Sequence, residues 1–292
     1  MPLAVFGTSF FYLYVTGAAM KILPTRKCLS KIICCLSVVC LSCGPFAADP
    51  AASAADGCAP SSVQAPLSGA DLIENGAKWL HIFTHALSYP PELLHALRRN
   101  PEMLDFVSGY LTTPSRTAKE LVFPEPSRSC PLFIQWDSRW GYAPYGRTNI
   151  GISGCGPTCL SMVLYYFTGN PVLTPDFLSQ KAMDEGYYVD GVGTDWSFMS
   201  RACEDYGVNA TQYSWMTERQ MRSATDDGAL IICAMGPGDF TDAGHFIVIR
   251  GASEEGFLIN DPFSYANSEK VWDYDTLSEQ WKQLWVYEPP CR

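Results

Sequence analysis

The chain has 292 residues, a formal net charge of −10 and a hydrophobic content of 47%. Its 15 Tyr, 15 Phe and 8 Trp supply enough apolar material for a packed core, which disfavours a long disordered chain. The first 48 residues hold four basic and no acidic side chains, so the remainder has 16 basic against 30 acidic residues, or −14. A body this acidic repels a phosphate backbone, and we expect no nucleic acid among its partners.

Residues 1–48 have the order of an export signal. A basic stretch at 21–31 precedes an apolar run at 32–43, and small residues follow at 47 and 48. This order predicts a signal peptide, a secreted or cell-surface protein, and a mature chain that begins near residues 47–49. The alternatives are an N-terminal membrane anchor that includes the apolar residues 3–19, a start at Met20, and lipid attachment at Cys43.

The next two segments differ in composition. Residues 49–65 are rich in Ala, Ser and Pro and predict a flexible linker. Residues 66–126 predict a helical accessory segment, because apolar side chains recur at helical spacing between the breaks at Pro90-Pro91 and Pro101. We expect three apolar faces to pack on the main domain: Leu80, Phe83 and Leu87; Leu94 and Leu97; Leu104 and Phe106. The alternative is an inhibitory pro-segment that lies extended in a cleft.

The main domain is predicted at residues 127–292. Helices are expected at 156–167, 175–184, 196–206 and 218–225, and short strands at 229–234, 246–250 and 256–260. Helices that come before strands favour an α+β fold over alternating parallel units.

Metal sites have little support in the sequence. Beyond residue 48 there are seven Cys without a C-x-x-C pair, and this odd number fits one functional thiol with up to three disulfides, or seven free thiols. His81 and His85 are four residues apart on one helix face, but no third ligand lies nearby. We expect no metal and no other cofactor.

Cys155 is the candidate nucleophile. It lies in residues 152–158, Ile-Ser-Gly-Cys-Gly-Pro-Thr, at the predicted start of a helix that has Pro157 in its first turn. The positive end of a helix dipole favours the thiolate, which is the form that attacks a carbonyl carbon. The flanking glycines allow a tight turn and the approach of a substrate. Taken alone, the run fits a buried structural Cys equally well.

Three further residues could complete a catalytic site. His245, the only His of residues 127–292, opens a strand and could act as the base; Asp261, at the end of the next strand, could fix its tautomer. Asn260 could take that orienting role, and Asp261 could be a simple turn residue. Gln135 lies 20 residues before Cys155, and its amide could donate to an oxyanion together with the Cys155 N–H; a polar residue on an edge strand is the alternative.

These pieces together resemble a known family. They are Phe133-Ile134-Gln135-Trp136-Asp137 with Trp140-Gly141, Ser153-Gly154-Cys155-Gly156-Pro157-Thr158, Gly244-His245-Phe246-Ile247-Val248, and Asn260-Asp261-Pro262. They are similar to the bacterial papain-like peptidases that process the double-glycine leaders of bacteriocins, and more closely to their stand-alone relatives (peptidase family C thirty-nine-like). The resemblance covers about residue 131 to the C-terminus.

The resemblance implies a papain-like fold, in which a helix carries the Cys and an antiparallel sheet carries the His and Asp. It implies a thiol protease that hydrolyses a peptide or protein substrate through a thioester, with Cys155 as nucleophile, His245 as base, Asp261 as orienter and Gln135 in the oxyanion hole. Two loops that also resemble the stand-alone relatives, 193–196 and 236–240, have no assigned role beyond lining the cleft.

One departure limits the resemblance. Leader-processing members are fused to membrane transporters, and this chain has neither the many spans nor a nucleotide-binding Gly-rich loop, so the double-glycine substrate is not carried over. Two other functions stay open. One is a cell-wall amidase or peptidyl transferase on a related fold; the other is an inactive peptide-binding module, which would lack a thiol that reacts as a thiolate.

Overall fold

A computed structural model of the chain describes residues 11–16, 19–24, 69–115 and 129–288. The chain divides into two compact units, Met1–Gln64 and Ala65–Arg292. In the first unit, strands β1 (Phe11–Thr16) and β2 (Ala19–Pro24) pair antiparallel. The predicted linker at 49–65 and the apolar run at 32–43 lie outside the described residues. Within the described ranges, we find no helix with the length and apolar character that a membrane span requires.

The second unit begins with the accessory helices. They are α1 (Gly69–Thr84), α2 (Pro91–Arg99) and α3 (Leu104–Gly109), with short 3₁₀ turns at Ala86–Ser88 and Pro101–Met103. Pro91 stands in the first turn of α2, where its missing N–H has no intrahelical acceptor to lose. The buried side chains of this segment form one apolar cluster: Ile82, Tyr89, Leu93, Leu97, Met103, Leu104, Phe106 and Val107.

The accessory helices pack on the main domain through that cluster. Trp136, Tyr142, Ile152 and Phe263 of the main domain all lie against it. One of the three predicted apolar faces is wrong, however, because Leu80, Phe83 and Leu87 are 64%, 73% and 104% exposed. Helix α1 packs instead with Ile82 and the half-buried Trp79. The 3.6-residue period shows which side chains share a face, but it does not show which face meets a partner.

The main domain adds helices before and between its strands. Within residues 129–288 they are α4 (Ile150–Ser153), α5 (Cys155–Thr168), α6 (Pro175–Asp184), α7 (Phe198–Glu204), α8 (Glu218–Asp226), α9 (Tyr265–Glu269) and α10 (Tyr274–Gln280). Helix α5 is almost wholly apolar, and every residue from 156 to 164 is buried.

An antiparallel six-stranded sheet forms the centre of the domain, in the order β11-β10-β9-β8-β12-β7. Its strands are β7 (Asn209–Tyr213), β8 (Leu230–Met235), β9 (His245–Ser253), β10 (Gly256–Asn260), β11 (Val271–Trp272) and β12 (Trp281–Glu288). Two small hairpins, β3 (Pro144–Tyr145) with β4 (Thr148–Asn149) and β5 (Tyr188–Val189) with β6 (Gly193–Thr194), lie outside this sheet.

The sheet is buried on both faces. Along β8, Leu230, Ile232 and Ala234 join the core that α5, α6 and α7 cover. The alternate residues Ile231 and Cys233 join a second core that includes side chains of α8 and α10. Successive strand residues point to opposite faces, so a strand covered on both sides must be continuously apolar, as the predicted strand at 229–234 is.

The α+β prediction is confirmed. The predicted helix 175–184 and strand 256–260 have the observed bounds, and the other predicted elements of the main domain differ from the observed ones by three residues or fewer. The strands β7 and β12 were not predicted, although β12 lies between β8 and β7 in the sheet.

Candidate active site

Cys155 is the first residue of α5, and Gly154 is the N-cap. The backbone N–H of a first-turn residue has no acceptor within its helix, so the Cys155 N–H is available to a ligand. The same helix end carries partial positive charge beside the sulfur, which stabilises a thiolate. Residues 156–164 are buried, so the position of this helix end is fixed by close packing.

The two glycines beside Cys155 are required by packing. A Cβ on Gly154 would lie 2.5 Å from Ile150 Cγ2, and one on Gly156 would lie 2.7 Å from Thr194 Oγ1. Gly154 has a φ of −88°, which other residues adopt without strain. The two glycines are therefore needed because neighbouring atoms lie very close to them, and not because the turn requires an unusual backbone conformation. Thr194, in the loop 193–196, lies against Gly156 and so supports the first turn of α5 beside the nucleophile.

His245 and Asp261 meet where β9 begins and β10 has just ended. His245 Nε2 lies 2.7 Å from Asp261 Oδ1, and their side chains are 7% and 0% exposed. An ionised carboxylate only accepts hydrogen bonds, so Nε2 carries the proton. The remaining nitrogen, Nδ1, is left for Cys155, which lines the same cleft as His245.

Asp261 is held by three residues besides His245. Its Oδ1 accepts from Phe263 N at 2.8 Å, its Oδ2 accepts from Asn267 Nδ2 at 2.8 Å, and its own N–H donates to Ser268 Oγ at 2.8 Å. Asn260 is turned away from this group, since its Nδ2 donates to Pro131 O at 2.9 Å. The geometry therefore assigns the contact with the imidazole to Asp261 and gives none to Asn260.

The charge state of His245 follows from its surroundings. Burial disfavours the imidazolium, but the Asp261 charge, the hydrogen bond to Asp261 and the Cys155 side chain outweigh burial and raise the pKa of His245 from 6.5 to about 10. An imidazolium thus persists at neutral pH between an anionic carboxylate and the sulfur.

Gln135 lies in the same cleft and is 2% exposed. Its Nε2 donates to Gly151 O at 3.0 Å, which leaves one of the two amide hydrogens for another acceptor. Its backbone N–H donates to Pro262 O at 2.7 Å, so the residue is tied directly to the segment that holds Asp261. All four residues predicted from the sequence are brought together.

The cleft has a volume of about 480 Å³ and includes a wall that the sequence did not predict. Helix α2 of the accessory segment contributes Glu92, His95 and Arg99 to its lining. Arg99 Nη1 lies 3.1 Å from Asp242 Oδ2 and so ties this wall to the loop before His245. These three polar residues are three and four positions apart, on the helix face opposite the buried Leu93 and Leu97. This spacing is the sequence pattern from which a polar wall could have been predicted. Of the two unassigned loops, 236–240 contributes Phe240 to the lining.

Cys155 differs from the other described cysteines. All five described cysteines are free, but only Cys155 is partly exposed, and Cys130, Cys159, Cys203 and Cys233 are buried. Burial raises the pKa of Cys130 and of Cys203 to about 12. Since the thiolate is the reactive form, these thiols are chemically silent beside Cys155. Cys58 and Cys291 lie outside the described residues.

A metal centre has no support from the described side chains. Within the ranges given above, His, Cys, Asp and Glu form no group of three that could hold an ion. His85 Nδ1 lies 2.9 Å from His81 O, and the His81 and His85 rings are tilted by 35° with centroids 4.4 Å apart.

Comparison with known proteins gives one family. Residues 128–288 match the model of the Peptidase_C39 like family, which is more than half of the chain. No curated protein sequence gives a significant match.

Solved structures are similar at low identity. The peptidase domain of Streptococcus ComA, a bi-functional ABC transporter involved in a quorum-sensing pathway, is 17% identical; the match covers 56% of this chain and 99% of that domain, with a TM-score of 0.38. A C39-like peptidase from Bacillus anthracis is 17% identical over 56% of this chain and 96% of that one, with a TM-score of 0.38. The peptidase domain of Streptococcus mutans ComA is 14% identical over 46% of this chain and 91% of that one, with a TM-score of 0.31.

Proposed function

We propose that this chain, which belongs to the Peptidase_C39 like family and is a cysteine peptidase with a papain-like fold, hydrolyses peptide or isopeptide bonds through Cys155, His245 and Asp261. The observation that carries this proposal is the buried pair of His245 and Asp261, with His245 lining the cleft that also contains Cys155. Asp261 Oδ1 lies 2.7 Å from His245 Nε2, and the Cys155 side chain contributes to the raised pKa of the imidazole.

In the reactive state the Cys155 proton lies on His245 Nδ1, in keeping with the raised pKa of the imidazole. The thiolate attacks the carbonyl carbon of the scissile bond, and the carbonyl oxygen becomes an oxyanion. The Cys155 N–H and the second hydrogen of Gln135 Nε2 are the donors for that charge. Preorganised donors stabilise an oxyanion by about 2.7–4 kcal/mol each in transition states of this kind.

Two further steps complete the turnover. The imidazolium returns its proton to the leaving amine as the C–N bond breaks, which leaves a thioester on Cys155. The neutral imidazole then takes a proton from water, and the hydroxide attacks the thioester carbon; the released sulfur returns to the thiolate and the product leaves as a carboxylic acid. Asp261 accepts the hydrogen bond from His245 Nε2 throughout and fixes the Nε2–H tautomer.

Peptide-library profiling tests the activity. The chain without residues 1–48 is expected to cleave a subset of a peptide library, and Cys155→Ala is expected to abolish cleavage while leaving the circular dichroism spectrum unchanged. Iodoacetamide at limiting dose and mildly acidic pH should modify Cys155 before Cys159 or Cys233, since those two are buried. Cleavage that persists in Cys155→Ala, or preferred labelling of another thiol, contradicts the triad.

The remaining alternatives separate in the same experiments. A cell-wall amidase or a peptidyl transferase would show a reactive Cys155 but prefer muropeptides or an amine acceptor to water. An inactive binding module would bind peptides with Cys155 as unreactive as an ordinary thiol. The contacts of His245 favour the reactive forms.

Export is part of the proposal, and the order of basic, apolar and small residues in 1–48 supports it. The N-terminal sequence of the protein recovered outside the cytoplasm should begin near residues 47–49. A secreted chain that begins at Met1 would contradict cleavage of a signal peptide. Recovery of the protein in the membrane fraction would favour an N-terminal membrane anchor or lipid attachment at Cys43.

A further inference from the structure

We propose that two residues of the accessory segment, Asn100 and Glu102, are positioning residues for the catalytic site, because they hold the segment that aims Asp261 at His245. The inference rests on the proposed triad. Both residues precede the part of the chain that matches the family model, residues 128–288. The accessory segment would then be a working part of this enzyme's site, in addition to a packing partner.

Glu102 binds the start of helix α9 with both carboxylate oxygens. Its Oε2 accepts from Tyr265 N and its Oε1 accepts from Ala266 N, each at 2.9 Å. The first N–H groups of a helix have no acceptor within the helix, so Glu102 supplies the missing ones from another part of the chain. Hydrogen bonds of this kind are charge-assisted and are about twice as strong as neutral ones.

Helix α9, which Glu102 holds in place, also forms two hydrogen bonds with Asp261. Asn267, in the same short helix, donates from Nδ2 to Asp261 Oδ2 at 2.8 Å. Ser268 Oγ accepts from Asp261 N at 2.8 Å. A shift of α9 therefore moves two of the hydrogen bonds that fix the orientation of Asp261.

Asn100 provides a second route to the same carboxylate. It is 6% exposed, and its Nδ2 donates to Phe263 O at 2.5 Å. Phe263 N in turn donates to Asp261 Oδ1, the oxygen that binds the imidazole. Asn100 Oδ1 also accepts from Glu102 N at 3.1 Å, so one side chain orients the loop and the residue that caps α9.

Neither residue lines the cleft that contains Cys155 and His245. Asn100 holds Phe263, which lines the cleft, whereas Tyr265 and Ala266, the partners of Glu102, do not line it. The loss of Glu102 should therefore lower kcat and leave KM nearly unchanged, because the imidazole loses its fixed partner while the cleft lining stays in place. Misplacement of a catalytic group by about 1 Å costs as much as about 100-fold in rate. We expect about a 10-fold lower kcat for Glu102→Ala, with KM within about 2-fold of the wild type.

The test uses the full accessory and catalytic chain and a fluorogenic peptide chosen from the wild-type library profile. Glu102→Ala is compared with Glu74→Ala, a matched change in the same segment, where the exposed Glu74 carboxylate pairs with Lys78 at 2.7 Å. The rate of Cys155 alkylation by iodoacetamide is measured alongside, since it reports on the thiolate without a substrate. Both kcat and alkylation should fall in Glu102→Ala and stay at wild-type values in Glu74→Ala.

Glu102→Gln keeps the experiment decisive if the Ala variant fails to fold. Gln retains one acceptor oxygen and the side-chain volume, so kcat should fall by about 3-fold and lie between wild type and Glu102→Ala. Folded variants with wild-type kcat and alkylation overturn the inference, as does a change confined to KM. If wild-type activity persists in Cys155→Ala, the proposed triad itself is wrong, whatever the Glu102 variants show.

Discussion

Helices α5 and α1 are of similar length, 14 and 16 residues, but their surroundings are opposite. Helix α5 has nine consecutive buried residues, 156–164, whereas α1 has a single buried residue, Ile82. Helix α5 contacts β9, which begins with His245, and also α6 and α7. The helix that presents the nucleophile is thus enclosed by the elements that present its partners, while α1 lies at the edge of the accessory segment.

The difference separates two structural roles. A catalytic Cys must be held within a fraction of an ångström, and close packing on all sides supplies that restraint. Helix α1 needs only to cover one side of the accessory cluster, so its other face can be exposed. Substitutions near the triad should therefore change activity or stability strongly, and the same kinds of substitution in α1 should not.

The largest effect is expected from Asp261→Asn. An Asn amide must place its NH₂ against either the His245 Nε2–H or the Asn267 Nδ2 donor, so one of the two hydrogen bonds is lost or the imidazole adopts the wrong tautomer. We expect kcat to fall by about 10²–10⁴-fold with the fold retained. The control variant is Asp184→Asn, because the Asp184 carboxylate accepts a hydrogen bond from the exposed Gln180 and lies outside the proposed triad. This variant should have wild-type kinetics. Full activity of Asp261→Asn would assign the orienting role elsewhere.

The pH dependence of stability should distinguish His245 from His81, the half-buried histidine of α1. The pKa of His245 is raised to about 10 from 6.5. A raised pKa means that the stabilisation is complete below about pH 6.5 and is lost as pH rises through about 10. The difference in free energy of unfolding between wild type and His245→Gln should therefore shrink from pH 6 towards pH 10.

Denaturant titrations at several pH values measure this difference, and His81→Gln is the control from α1. The control should run parallel to the wild type. A constant gap between wild type and His245→Gln would show that the pKa of His245 is the same in the folded and unfolded protein, and a gap that widens with pH would show that folding lowers it.

A smaller effect is expected at Gly156 of α5. An added Cβ would lie 2.7 Å from Thr194 Oγ1 and 2.9 Å from Thr194 Cβ, and the buried helix cannot shift to make room. Gly156→Ala should lower the free energy of unfolding by about 1–3 kcal/mol. Thermal unfolding of the purified variant measures the change, and an unaltered melting temperature would show that β6 yields to the helix.

The smallest effect, of opposite sign, is expected at Gly76 of α1. No atom lies within 4 Å of a Cβ built there, and the residue is inside the helix. Gly76→Ala should raise stability by about 0.5–1 kcal/mol, because Ala loses less backbone freedom in a helix than Gly. A destabilised Gly76→Ala would show that the exposed face of α1 has a close partner in solution.

Within residues 129–288, local patterns predicted four of the seven helices and three of the six strands of the central sheet, because their signals lie within a few residues. The capping Thr174 and Pro175 mark the start of α6, and the continuous apolar run of β8 marks a strand buried on both faces. Strand β12 was missed because its neighbours β8 and β7 are distant in sequence and only their pairing identifies it. The exposed face of α1 was wrongly predicted to be buried. Its apolar residues recur at helical spacing whether or not that face packs against another part of the chain.

The sequence by itself determined the identities of the candidate site residues, the helix that begins at Cys155 and the strand that begins at His245. These depend on residue type and short spacing, which the chain carries locally. Only the tertiary structure decided that Asp261, and not Asn260, meets the imidazole, that α2 forms a wall of the cleft, and that Glu102 caps α9. Each of these is a contact between segments far apart in the chain, whose distances are set by the packing of the whole domain and not by local preference.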